Sequence, residues 1–247
     1  MKINPVAFNL FGLEVRWYGI LIALGAFIAI NIIEIMGNRY EYKNGLYKGF
    51  ASDLGVFVII FGVLGARLYY VAFEWEYYSQ NLGEIFAIRN GGLAIYGGIL
   101  AGMLASLFFS KIKKINFLTI MDTCAPAVPL AQAIGRWGNF INGEAHGGET
   151  NLPWGIWVDG IKVHPTFLYE SILDFFIFLL LFFYMKKKQK FTGQLFLLYI
   201  IIYGFGRFII EGMRTDSLYL GPFRISQIVS LVLVFVGGLL YFRKKRN

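Results

Sequence analysis

Seven stretches of this 247-residue chain run for eighteen to twenty-two residues with few charges. They cover 17–36, 50–71, 91–110, 117–134, 166–185, 193–211 and 225–242. A helix rises ~1.5 Å per residue, so each run is long enough to cross the hydrocarbon of a bilayer, some with tilt. With their connections they nearly fill the chain and leave no room for a large soluble domain. Only 15% of the residues are charged and 57% are hydrophobic, where a soluble domain has about 25% charged. The expected fold is an all-α polytopic membrane protein with seven transmembrane helices. It forms one integral-membrane domain over 1–247, with a small outward-facing loop and helix region at about 135–165. The fourth run is the weakest, because Asp122, Pro126 and Pro129 interrupt it, and a broken or re-entrant helix there would be tolerated only if protein or water covered the freed backbone groups. Met1-Lys2-Ile3-Asn4-Pro5 lacks the basic region and cleavage site of a signal peptide, so the first run is taken as retained.

The net charge of +8 is spread in short clusters between the apolar runs, not along a continuous surface. That pattern speaks of topology and not of nucleic-acid binding. Arg39, Lys43 and Lys48 follow the first run, Lys111, Lys113 and Lys114 the third, and Lys186, Lys187, Lys188 and Lys190 the fifth. Arg243, Lys244, Lys245 and Arg246 end the last. Fourteen of the 23 basic residues thus fall on one side. The other side holds Lys2, Arg16, Arg89, Arg136, Lys162, Arg214 and Arg224, while Arg67 and Arg207 lie within runs. The positive-inside rule makes the rich side cytoplasmic, with the N-terminus outside and the C-terminus inside. Trp137, Trp154 and Trp157 then suit a headgroup-level belt. The lone Cys124 permits no intrachain disulfide and no cysteine metal site. It reads as a buried small hydrophobe.

Charges inside spans are expensive, ~2.5–3.5 kcal/mol each on insertion scales, so a cluster of them needs a reason. Arg207 and Glu211 lie four apart, and the spacing places Tyr203, Arg207, Glu211 and Arg214 along one helical face. The pair is either an internal salt bridge or an anion site in which Glu211 orients Arg207. The second reading is preferred, because a buried pair rarely repays its desolvation. The second cluster is Gly135-Arg136-Trp137-Gly138-Asn139-Phe140-Ile141-Asn142-Gly143-Glu144. Its glycines are expected to form an outward loop approaching a ligand closely. Arg136 offers a planar fork for phosphate, and Asn139 and Asn142 offer neutral donors. Gly98 and Gly102 give a small-residue packing face. Tyr96 is either an interfacial anchor or a proton relay. His146 and His164 are too few for a metal set, and neither a metal nor another cofactor is expected.

The run Gly135–Glu144 resembles the signature of bacterial prolipoprotein diacylglyceryl transferases. The resemblance continues through Trp17-Tyr18-Gly19, Gly91-Gly92-Leu93 with Gly97-Gly98, and Asp122 with Pro126. Beyond these come His164-Pro165 with Leu168-Tyr169-Glu170, then Arg207 with Glu211 and Arg214. These landmarks follow the family's order over nearly the whole chain. The resemblance implies a seven-span catalytic domain of the bacterial plasma membrane. Such an enzyme moves the diacylglyceryl group of phosphatidylglycerol onto the lipobox cysteine of a preprolipoprotein. It makes a thioether and releases glycerol 1-phosphate, the first step of lipoprotein maturation. It also implies Arg136 and Arg207 as headgroup residues essential to the reaction, with Tyr18, Asn139, Asn142, Glu144 and Glu211 lining the same site. Where many members carry His, this chain has Tyr96, as some Gram-positive members do.

The implied chemistry is sound on its own terms. A diester carries one negative charge and the departing monoester approaches two, so paired arginines bind the transition state more strongly than the substrate. The implied partners are phosphatidylglycerol, preprolipoprotein signal peptides and membrane lipids, with no nucleic acid. The alternative is a membrane transporter in which Arg207 and Glu211 line the pathway. A metal-dependent phosphotransferase lacks its spaced aspartates here, and a rhomboid-type protease lacks its Gly-x-Ser with a partnering His.

Overall fold

The computed structural model describes residues 3–88, 91–185 and 188–246. Lys2, Arg89, Lys186 and Lys187 of the basic pattern therefore lie outside the described residues. Among those described, seven helices are long and apolar enough to cross a membrane. They are α1 (Trp17–Arg39), α2 (Phe50–Phe73), α3 (Ile95–Ile112) and α4 (Phe117–Asn142). α5 (Thr166–Leu179) continues as π-helix over Leu180–Met185, and α6 (Gln194–Glu211) and α7 (Ile225–Arg246) complete the set. Among the described residues, strands occur in three small antiparallel hairpins: β1 (Val6–Leu10) with β2 (Leu13–Arg16), β3 (Ile156–Val158) with β4 (Ile161–Val163), and β5 (Tyr219–Leu220) with β6 (Phe223–Arg224).

The fourth span is a single helix, and one expectation is corrected: α4 runs 26 residues through Pro126 and Pro129 and on through the segment read as a loop from Gly135. Each proline removes one donor and the two sit three apart. In apolar surroundings the remaining backbone groups have no water to turn to, so the helix outlasts the loss. For the same reason it continues past Gly135. Gly135, Arg136, Gly138 and Asn139 are helical, not part of an outward loop.

The chain packs as two compact units. In the unit from Glu34 to Ile120, α2 and α3 approach through small residues. A Cβ on Gly65 would collide with Ala101, and one on Gly97 with Tyr69. Gly98 and Gly102 face α2 as expected, at ordinary contact distances of 3.6 and 3.5 Å. Arg67 on α2 is 4% exposed. Its guanidinium donates to four carbonyls, those of Ile85 (2.8 Å), Gly91 (2.7 Å), Gly92 (3.0 Å) and Glu84 (2.6 Å). It fastens the α2–α3 connection to the helix.

In the unit built from residues up to Ile33 and from Met121 onward, α1 and α4 cross on small residues. A Cβ on Gly25 would stand 3.2 Å from the Ala131 carbonyl, one on Gly135 3.4 Å from Ile22, and one on Gly138 2.5 Å from the Tyr18 ring. The glycines of the signature run thus bring two helices together. Gly206 does the same for α5 and α6, where a Cβ would collide with Leu173. At the start of α6 the Asp122 carboxylate accepts from the Gly193 amide (2.6 Å), the Phe196 amide (3.0 Å) and Gln189 Nε2 (2.7 Å).

Arg67→Met strips four carbonyls of their donor at once and is expected to cost roughly 3 kcal/mol or more. Thermal inactivation in detergent should fall well below that of the parent, while protein surviving in the folded state keeps its activity. An unchanged inactivation temperature would refute the fastening role.

Candidate active site

Three helix ends supply the side chains: the last turns of α4, the first turns of α5 and the last turn of α6 with the residues after it. Their centre is Glu170, 2% exposed on α5. Arg136 Nη2 reaches its Oε2 at 2.5 Å, Arg207 Nη1 pairs with its Oε1, and Arg214 Nη1 stands 3.3 Å from the same oxygen. Glu211, 1% exposed, pairs with Arg207 Nη2 at 2.6 Å and Arg214 Nε at 3.8 Å. Arg214 also holds Asp216 through two bonds of 3.0 and 2.8 Å. Burial would raise the Asp216 carboxyl, but those bonds outweigh it and hold the group below the usual carboxylate range.

Three cations thus meet three carboxylates, and the three arginine side chains keep 19, 14 and 12% of their surface open. Partial exposure leaves N–H donors for an incoming anion. One turn past Glu170 on α5, Asp174 is fully buried, and neither of its oxygens has a hydrogen-bond partner among the described residues. It lies within the electrostatic reach of Arg136, Arg207 and Glu170.

Beside this cluster, Asn139 and Asn142 each donate to Glu144 Oε1 at 3.1 Å, and the Glu144 amide returns to the Asn139 carbonyl at 3.0 Å. The Tyr18 ring lies against Gly138, close enough to feel both Glu144 and Arg136. The chain after Glu144 then ties the helix ends together. Gly147 N–H donates to the His164 carbonyl (2.8 Å), Gly148 N–H to the Met213 carbonyl (3.0 Å), and Thr166 Oγ1 to the Ala145 carbonyl (2.7 Å). A Cβ on Gly147 would press at 2.8 Å on both His164 and the Met213 carbonyl, so only glycine fits this crossing.

Of the residues singled out from sequence, Arg136, Arg207 and Glu211 come together, with Tyr18, Asn139, Asn142 and Glu144 at their side. Tyr96 stands in the first turn of α3, in the unit 34–120. Glu170, Asp174 and Arg214 were not named as site residues. The signal was present: Glu170 and Asp174 are carboxylates four apart inside an apolar run, the same anomaly that singled out Arg207 and Glu211. Among the described residues no group of three His, Cys, Asp or Glu is placed to hold a metal.

Glu170→Gln removes the charge on which three arginines converge. Loss of one partner of a buried ionic cluster costs roughly 3–5 kcal/mol, so the folded yield in membranes should drop sharply. Asp174→Asn, which breaks no hydrogen bond, should express near parental levels. Equal yields for the two variants would remove Glu170 from the centre of the cluster.

The model of the prolipoprotein diacylglyceryl transferase family matches residues 5–243. A relative named phosphatidylglycerol–prolipoprotein diacylglyceryl transferase, from Clostridioides difficile (strain 630), is 53% identical over 99% of this chain and 97% of its own length. Proteins of the same name from Finegoldia magna and Listeria welshimeri are 49% and 45% identical, each over 99% of this chain, and over 97% and 92% of their own lengths. With a family match from end to end and half of all positions shared with close relatives, the chain belongs to the prolipoprotein diacylglyceryl transferase family.

Proposed function

We propose that this protein transfers the diacylglyceryl group of phosphatidylglycerol to the lipobox cysteine of preprolipoproteins in the bacterial plasma membrane. The whole chain acts as one catalytic domain. The observation that carries the reading is the meeting of Arg136, Arg207 and Arg214 on the single buried carboxylate of Glu170. A phosphodiester oxygen matches a carboxylate oxygen in charge and in hydrogen-bond geometry. The headgroup therefore takes donors that Glu170 shares in the resting protein.

The reaction follows from charge. The cysteine thiolate attacks the glycerol carbon that bears the phosphate. The C–S bond forms as the C–O bond breaks, and the electron pair leaves on the phosphate of glycerol 1-phosphate. The thiol proton is carried to the departing monoester, so atoms and charge balance. Negative charge grows on the leaving phosphate, and arginines fixed in advance by Glu170 and Glu211 stabilise that growth without reorganising. Asn139, Asn142 and Glu144 form a polar shelf beside the arginines for the glycerol hydroxyls. Tyr18 closes that shelf against Gly138. Tyr96 is kept as a candidate hydrogen-bond donor on the strength of the family resemblance alone. The direct test incubates purified protein with phosphatidylglycerol and a lipobox peptide. Thioether and glycerol 1-phosphate in equal amounts support the reading, and solute flux in liposomes without chemistry would overturn it.

A lysine is a point charge without the guanidinium fork. Arg136→Lys and Arg207→Lys should each lower turnover by about two orders of magnitude at matched protein levels, since the lost interaction grows toward the transition state. Near-parental rates for both would contradict the phosphate clamp.

The orientation belongs to the same proposal: the end of α4 and the β3–β4 hairpin lie outside, and the basic end of α7 is cytoplasmic. A cysteine placed at Asn151 should react with an impermeant thiol reagent in intact cells, and one placed at Arg246 should not. The reverse pattern would invert the topology.

A further inference from the structure

A cavity opens beside the shelf formed by Asn142 and Glu144. It measures about 770 Å³ and lies between the β3–β4 hairpin and the end of α4. Asn142 and Glu144 line it together with Ile156–Val158 and the N-terminal Ile3–Pro5, and the stacked rings of Phe140 and Phe167 give it an apolar wall.

The backbone of β3 is what sets this cavity apart. Asp159 and Gly160 join β3 to β4 with φ of 46° and 86°, the mirror-image turn whose flanking residues exchange hydrogen bonds. Val158 and Ile161 flank that turn, so the next pair, Trp157 and Lys162, turns its backbone groups away from the hairpin. On β4 the consequence is visible: the Lys162 carbonyl accepts from the Thr150 amide at 2.9 Å. On β3 no residue of the described chain pairs with the Trp157 amide or carbonyl across the outer edge. An open strand edge is a template for an extended peptide.

We propose that the outer edge of β3 receives the acceptor polypeptide as an added strand, with its apolar side chains against Phe140 and Phe167. The inference rests on the transferase reading, which requires a polypeptide thiol to reach the arginine cluster. A backbone edge recognises a peptide and offers nothing to an acyl chain, which has no amide groups. The cavity is continuous with the candidate site, because Glu144 lines it and binds Asn139, one turn of α4 from Arg136. A peptide paired to Trp157 is thereby led toward the headgroup.

Two measurements on the full-length protein test this. Lipobox peptides N-methylated at single positions near the cysteine lose one donor each. Only the residue that faces the Trp157 carbonyl needs that donor, so the effect should fall at a single position. At that position KM for the peptide should rise about tenfold, with KM for phosphatidylglycerol unchanged. A uniform effect, or none, would overturn strand addition. A photo-reactive benzoylphenylalanine replacing Trp157 should crosslink the peptide and be protected by unlabelled peptide, not by phosphatidylglycerol vesicles. Protection by vesicles alone would assign the cavity to lipid and also overturn the proposal. Absence of thioether with the unmodified peptide would instead sink the transferase reading, and the crosslink would still report on the edge.

Discussion

A carboxylate buried among apolar helices is stable only if its charge is answered, and Glu170 is answered by three arginines from two neighbouring elements. Their long, flexible side chains are thereby held in one place before any ligand arrives. Without Glu170 and Glu211, three guanidinium groups this close would repel one another and turn outward to water. The ionic cluster is therefore the structural knot of the helix ends, and we propose that it is also the source of a pre-set anion site. The rest of the unit is arranged to let these ends meet.

That arrangement depends on small residues and on carboxylates placed at helix starts. Gly25, Gly135 and Gly138 let α1 and α4 approach to backbone contact, and Gly206 does so between α5 and α6. α2 and α6 begin at Gly49 and Gly193, both left-handed and neither offering a capping side chain. Each is capped from a preceding helix instead. Glu34 accepts from the Gly49 amide at 2.8 Å and Asp122 from the Gly193 amide at 2.6 Å. A carboxylate at a helix N-terminus satisfies orphan donors and favours the dipole. Within each unit, the start of a membrane helix is thus fixed by a partner's charge.

The number, type and approximate ends of the helices are legible in the sequence, because a bilayer demands a length and an apolar composition that few other folds share. The Arg207–Glu211 pair is legible too, since four residues apart on a helix means neighbours. The course of α4 is not. Proline and glycine carry local rules that read as a weakened span at Pro126 and a loop at Gly135; apolar surroundings hold the helix through the first, and packing of Gly135 and Gly138 against Ile22 and Tyr18 carries it through the second. Glu170 escapes a reading that weighs the arginines first, though its place in an apolar run marks it as strongly as theirs. The convergence of Arg136 from α4 with Glu170 from α5 is a long-range contact that no spacing encodes.

We propose that Arg136 and Arg207 act as one unit, fixed by a shared carboxylate and engaging one phosphate. A double-mutant cycle tests it most directly: kcat/KM is measured for Arg136→Lys, Arg207→Lys and the combined variant at matched folded protein. Residues that act as a unit are strongly non-additive, so the double variant should be little worse than the poorer single variant. Losses that multiply in full would show two independent sites and contradict the claim.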